Sequence, residues 1–162
     1  MKIIKMISFI FVLLCLLFIP NTLCAFKAQK VEVMDGDTVR LRDVSNGVEF
    51  KVRLFCIDAP EKNQLNGIKS KDHLNKILPL EVDVIPMGGS YDRIVAVLTD
   101  NDRVINFEMI KDGYAWVYVD YCNTSRKQEL IDYQNKAQLN KIGIWESNNN
   151  IPPWDWRKEN RK

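Results

Sequence analysis

Between residues 30 and 55 the chain alternates apolar and polar positions with a period of two: Val31 and Val33, then Val39 and Leu41, then Val48, Phe50, Val52 and Leu54. Successive side chains of a strand point to opposite faces, so this period predicts half-buried β-strands. Asp35-Gly36 and Ser45-Asn46-Gly47 interrupt the alternation, and Asn-Gly between two such runs is a strong hairpin signal. Three strands of an antiparallel meander are expected. Leu65 to Leu78 then carries Ile68, Leu74, Ile77 and Leu78 in a helical pattern that Pro79 closes. Alternation resumes at Leu80, Val82 and Val84, and Ile94 to Leu98 gives a fifth strand across a Met87-Gly88-Gly89-Ser90 loop. That Gly-Gly pair reads as a turn rather than a phosphate cradle. Ile105 to Lys111 predicts a short helix ending at Gly113. Ser125 to Leu139 predicts a longer one, with Ser125 and Gln128 at capping-box spacing and Gly143 beyond its end. Five short strands, a helix after the third and further helices towards the C-terminus suit an OB-type barrel with about three helices.

The first 25 residues stand apart from this pattern. Lys2 and Lys5 precede an apolar run from Ile7 to Ile19, followed by Pro20 and a polar stretch ending at Cys24-Ala25. This is the layout of a secretory signal peptide. The run is shorter than the roughly 20 residues of a membrane span, which places an uncleaved anchor second. The expected product is secreted or periplasmic, without stable membrane association. Residues 26–162 suffice for one domain with one core.

Charge and cysteine content narrow the chemistry. Removing Lys2 and Lys5 balances basic and acidic residues at 21 each, so bulk charge does not mark a nucleic-acid binder. The basic C-terminal residues Arg157, Lys158, Arg161 and Lys162 read as a solvated, frayed end. Cys56 and Cys122 lack any C-x-x-C spacing, which removes zinc-finger and thioredoxin-like readings. Export permits a disulfide between them, and two buried free thiols are the equal alternative. His73 is the single histidine, so two-histidine phosphodiesterase chemistry and multi-histidine metal sites are excluded. It falls in a polar helical stretch and is expected at the surface. Trp116, Trp145, Trp154 and Trp156 are expected to pack in the core or tail rather than stack on bases.

Candidate chemistry gathers at strand ends. Asp37 follows a glycine turn, Arg53 interrupts an apolar strand, and Asp58-Ala59-Pro60-Glu61 follows that strand. A hard divalent cation takes oxygen ligands, an attacking water needs a base, and a phosphate needs a fixed guanidinium. Singly, each motif also reads as a turn, a structural ion pair or a charged surface loop. Together they require several coincidences, and an arginine on an apolar strand invites a nearby anion.

In order and spacing, Asp35-Gly36-Asp37-Thr38, Val52-Arg53-Leu54, Ile57-Asp58-Ala59-Pro60-Glu61, Tyr91-Asp92-Arg93, Gly113-Tyr114-Ala115-Trp116 and Gly143-Ile144-Trp145 resemble the thermonuclease, or staphylococcal nuclease, family. The closing Pro152-Pro153-Trp154-Asp155-Trp156-Arg157 is similar to the tail of its exported bacterial members. The resemblance implies an OB-fold five-stranded barrel of the staphylococcal-nuclease type. It also implies a calcium-dependent endonuclease that cuts DNA and RNA, single-stranded or locally melted regions favoured, and leaves 3′-phosphates. Carried over position by position, Asp37, Asp58 and the main chain of Ala59 would bind calcium. Glu61 would be the general base, Arg53 and Arg93 the phosphate clamps, and Tyr91 and Tyr118 substrate contacts. Tyr121 lies close enough to compete with Tyr118 for its role, and Asp92 stands where the family commonly has glycine. The competing expectations are a catalytically silent nucleic-acid-binding module and an envelope-anchored structural protein. A monomer is expected.

Overall fold

The computed structural model describes residues 24–90 and 92–160. The expected signal segment therefore lies almost wholly outside the described residues, as do Tyr91, Arg161 and Lys162. Strands β1 (Phe26–Val33), β2 (Thr38–Asp43) and β3 (Glu49–Leu54) form the antiparallel meander that the alternation predicts. β4 (Ile57–Asp58) follows, then helix α1 (Gly67–Ile77), β5 (Glu81–Ser90), β6 (Arg93–Asp100) and β7 (Arg103–Val104). α2 (Ile105–Lys111), β8 (Trp116–Val117), α3 (Lys127–Leu139) and α4 (Pro153–Glu159) complete the chain.

β5 pairs with β1 on one side and β6 on the other, and a parallel pairing of β6 with β3 joins the ends of the sheet. The result is a closed, mixed five-stranded barrel of the OB type, with β7 extending its edge. Closure removes the exposed edges that an open sheet would present. Val39, Leu41, Val52, Leu54, Val82, Val84, Ala96 and Leu98 fill the interior, and α2 covers one end with Ile105, Met109 and Ile110. Asn106 is buried at the parallel seam. Its amide donates to the carbonyls of Phe55 (3.0 Å) and Ala96 (3.1 Å) and accepts from the Leu98 N–H (2.9 Å), so polar groups are satisfied where two strands and a helix meet.

Several local expectations are corrected. The predicted Met87–Ser90 loop belongs to β5, with a bulge between Pro86 and Gly88, and Asp92 lies in a turn just before β6. A bulge between Lys30 and Glu32 breaks the alternation of β1, leaving Val31 exposed while Val33 is buried. Ser125 does not cap α3, since the helix starts at Lys127 with no side-chain cap and Gln128 bonds Asp132. His73 is half-buried rather than superficial: its ring stacks on Tyr114 with centroids 3.9 Å apart and bonds Asp112 at 2.8 Å. Arg157 and Lys158 lie in helix α4 rather than a frayed end, which makes four α-helices among the described residues where about three were expected. Cys56 and Cys122 form a disulfide. Among the described residues no helix is long and apolar enough to cross a membrane.

Candidate active site

The site sits at one mouth of the barrel and is built by three sharp local features. The first is the Asp35-Gly36-Asp37 turn leading into β2. A Cβ on Gly36 would stand 2.2 Å from Ser70 Oγ and 2.6 Å from Ala59 Cβ, so only glycine lets this turn pack against α1 and the loop after β4. Asp35 closes the turn by accepting the Asp37 N–H at 3.0 Å. Asp37 is thereby fixed by the turn just before β2.

The second feature is the register of β2 and β3, which sets Thr38 opposite Arg53 and brings the Arg53 guanidinium to Asp37. The third is the turn between β3 and β4. Cys56 takes a left-handed backbone (φ 68°), a conformation that L-residues adopt rarely, and reverses the chain so that Asp58 faces Arg53. The Cys56–Cys122 disulfide and a bond from the Tyr118 N–H to the Cys56 carbonyl (2.9 Å) tie this turn to the segment after β8. β4 and β8 pair through Asp58 and Trp116, so Tyr118 lies beside the acidic cluster.

Arg53 bridges the two aspartates, one guanidinium nitrogen on Asp37 Oδ1 and the other on Asp58 Oδ1. Asp37 also accepts the Thr38 hydroxyl on Oδ1 (3.0 Å) and the Ala59 N–H on Oδ2 (2.7 Å). Both aspartates are fully buried. Burial pushes the Asp37 carboxyl well above the usual carboxylate range, against the opposing pull of Arg53. For Arg53, burial works against the charge, but Asp37 and Asp58 outweigh it and raise its pKa. Desolvation, followed by the Asp58 charge, raises the Tyr118 hydroxyl.

Glu61 lies three residues past Asp58, beyond the Ala59-Pro60 turn. Its loop is fixed by Gln64, which accepts the Glu61 N–H (3.1 Å) and donates its own N–H to the Glu61 carbonyl (2.8 Å). A Cβ on Gly67 would stand 1.9 Å from that carbonyl, so the start of α1 also presses on the loop. A cleft of about 630 Å³ opens over these groups. Arg53, Glu61, Arg93, Tyr118 and Tyr121 all line it. Arg93 stands at the start of β6, and among the described residues its guanidinium has no acidic partner within ion-pair distance. Asp92 pairs with Lys51 at 3.8 Å, an exposed and weak contact. The fold thus brings Asp37, Arg53, Asp58, Ala59 and Glu61 together and sets Arg93 and Tyr118 on the same cleft.

One residue at this mouth was not expected there. Arg157, from α4, donates from Nη2 to Asp58 Oδ2 (2.7 Å) and from Nη1 to Asp58 Oδ1 (3.1 Å) and Glu61 Oε1 (2.7 Å). Hydrogen bonds to Asp58, then to Glu61, raise its pKa and keep it charged. Trp154, three residues earlier, stacks on Tyr118 with rings nearly parallel (3°) and centroids 5.5 Å apart. A charged residue following two aromatic ones in a polar tail carries no periodic signal of burial. The long-range contact was therefore not readable from spacing.

The donor chemistry fits a hard cation. One guanidinium reaches both Asp37 and Asp58, so their carboxylates converge on a position where a doubly charged cation would balance both. Among the described residues no group of three or more His, Cys, Asp or Glu side chains is arranged to hold a metal. Two carboxylates would leave most of the 6–8 oxygen positions of calcium to main chain, water or substrate.

Residues 51–147 match the family of staphylococcal nuclease homologues. An uncharacterized endonuclease of Haemophilus influenzae is 37% identical over 153 residues, covering 90% of this chain and 84% of its own length. An uncharacterized endonuclease of Escherichia coli is 34% identical over 149 residues, covering 90% and 94% respectively. The micrococcal nuclease of Shigella flexneri is 28% identical over 147 residues, covering 84% and 83%. With the family match spanning more than half of the chain and relatives above 30% identical along most of it, the chain belongs to the staphylococcal nuclease family.

Proposed function

We propose that the chain is an exported, calcium-dependent endonuclease that hydrolyses phosphodiester bonds of DNA and RNA and leaves 3′-phosphates. The single observation that carries this reading is the convergence of two buried aspartates, a glutamate and an arginine at one barrel mouth, beneath a cleft edged by Arg93. Buried carboxylates without a function are costly, and their clustering in a cleft is the usual mark of a site.

Asp37 and Asp58, with the main chain of Ala59, would hold calcium, which when bound supplies positive charge to the phosphoryl oxygens and to the attacking water. Glu61 accepts the proton of that water as its oxygen bonds to phosphorus. The bond from phosphorus to the 5′-oxygen breaks, and the products are a 3′-phosphate and a 5′-hydroxyl. Arg53 and Arg93 donate paired hydrogen bonds to the phosphate oxygens, gaining strength as charge builds on them. For Arg53 this requires release from Asp37 and Asp58. Tyr118 lies on the cleft wall, where it can contact a nucleotide. An unpaired strand fits better than a duplex, since a phosphate must descend to groups sunk below the barrel rim.

The test uses residues 26–162 with heat-denatured DNA and with RNA, in calcium, in magnesium and in a calcium chelator, with end-group analysis of the products. Calcium-dependent cleavage to 3′-phosphate ends is expected. Tight binding without cleavage in every metal would favour the silent binding module instead.

A further inference from the structure

We propose that Arg157 is a positioning residue of the hydrolytic centre, fixing the Glu61 carboxylate relative to Asp58 so that one oxygen of Glu61 stays available to the attacking water. The inference rests on the hydrolase reading above.

Its basis is the geometry of one guanidinium. Arg157 spends both terminal nitrogens on two carboxylates: Asp58 through both oxygens, and Glu61 through Oε1 alone. Among the described residues no donor reaches Glu61 Oε2. Asp58 is fully buried and also held by Arg53, so the fork ties Glu61, whose side chain is one-third exposed and would otherwise explore several rotamers, to a fixed partner. A base misplaced by about 1 Å can lose on the order of 10²-fold in rate.

Arg157 is itself held in place by the packing of α4. Gln64, which fixes the Glu61 main chain, also donates to the Ile151 carbonyl at 2.7 Å. Asn66 bonds Asn150 at 2.7 Å, Pro153 is buried, and Trp154 stacks on Tyr118. The C-terminal segment therefore grips both the Glu61 loop and the cleft wall. A tail that merely covered the barrel would not need a charged fork aimed at the two residues on which cation binding and water activation depend.

The experiment compares wild type, Arg157→Ala, Arg157→Lys, Glu61→Gln and the double variant Arg157→Ala/Glu61→Gln on heat-denatured DNA in saturating calcium. Melting temperature and affinity for a short single-stranded oligonucleotide are measured on the chelated proteins. Arg157→Ala is expected to lower kcat by about 10²-fold while KM and oligonucleotide affinity change less than about threefold. Arg157→Lys keeps the charge but not the fork, and is expected to recover part of the loss, leaving kcat down by about tenfold. In the Glu61→Gln background, removing Arg157 is expected to cost less than about threefold further, since both changes disable one function.

Losses that multiply in the double variant would overturn the positioning role, as would a rise in KM at constant kcat, which would make Arg157 a phosphate contact. Faster turnover in Arg157→Ala at limiting calcium would overturn it by showing a blocking residue. If Arg157→Ala fails to melt cooperatively, wild-type kinetics in Arg157→Lys would do the same. An inactive wild type would remove the hydrolase reading and this inference with it, whereas an active wild type with unaltered Arg157 variants would remove the inference alone.

Discussion

Two sets of ion pairs on this barrel differ in almost every physical respect. Around the outer wall, Lys27 meets Asp83 and Arg42 meets Glu49, and at the start of α3 Arg126 meets Glu129, all with side chains more than one-third exposed. At the mouth, Arg53 and Arg157 meet Asp37, Asp58 and Glu61, with both aspartates out of solvent. Exposed pairs cost little to form and contribute about 0–1 kcal/mol each. Buried pairs lose solvation that their mutual attraction often fails to recover. The outer set is thus ordinary surface, whereas at the mouth a small domain retains a buried carboxylate, Asp37, whose charge burial opposes. Charge kept at such a cost is what a catalytic centre requires.

Substitutions can separate the two sets, and the largest expected effects fall at the mouth. Arg93→Lys, and separately Arg53→Lys, should each reduce kcat/KM on single-stranded DNA by about 10²–10³-fold although charge is conserved, because lysine lacks the planar fork. Steady-state kinetics in calcium would check this, and near-normal values for Arg93→Lys would remove it from the site. Next in size is the disulfide that anchors the Cys56 turn. Replacing Cys56 and Cys122 by serine opens a 66-residue loop and should cost about 2–4 kcal/mol in urea unfolding, with turnover falling further as the Asp58 turn loosens.

A smaller effect on stability, of opposite sign, is expected at Asp37. Its carboxyl titrates above the usual range because burial disfavours the ionised form. It therefore costs no stability in acid, below the ordinary carboxylate pKa, and destabilises the folded chain increasingly as pH rises above it. Asp37→Asn should raise the Tm of the chelated protein by several degrees at neutral pH and not in acid, while abolishing calcium-dependent cleavage. An unchanged or lowered Tm at neutral pH would show that the buried pair is net stabilising.

The smallest effect belongs to the outer set. Bonds from Arg126, then from Tyr133, lower Glu129 to about 2, so whatever stability it adds is present above pH 4.5 and lost as pH falls towards 2. Its exposure leaves little to lose. Glu129→Gln should barely move the Tm at neutral pH, and a large drop would break the contrast between the two sets.

Much of the barrel was legible in the sequence because its physics is periodic. Val39, Leu41, Val52 and Leu54 alternate, and all four are buried. Asp35-Gly36-Asp37, Arg53 and Asp58 to Glu61 stood out only as an ordered set, since each alone also reads as a turn, an ion pair or a surface loop. What escaped was aperiodic. The bulge that exposes Val31 and the left-handed backbone of Cys56 depend on neighbours distant in sequence. Gly88 and Gly89 carry turn chemistry but lie in β5, where pairing with β6 supplies the hydrogen bonds that a turn would otherwise provide. Arg157 escaped because α4 has only seven residues, too few for an apolar stripe, and its partners lie 96 and 99 positions away.

The central claim is that the mouth charges form a water-activating centre rather than a binding surface. Cleavage and binding measured side by side for wild type and Glu61→Gln test it most directly. The account predicts that Glu61→Gln lowers kcat in calcium by about 10²–10⁴-fold while oligonucleotide affinity stays within about threefold. Equal turnover in the two proteins would contradict it.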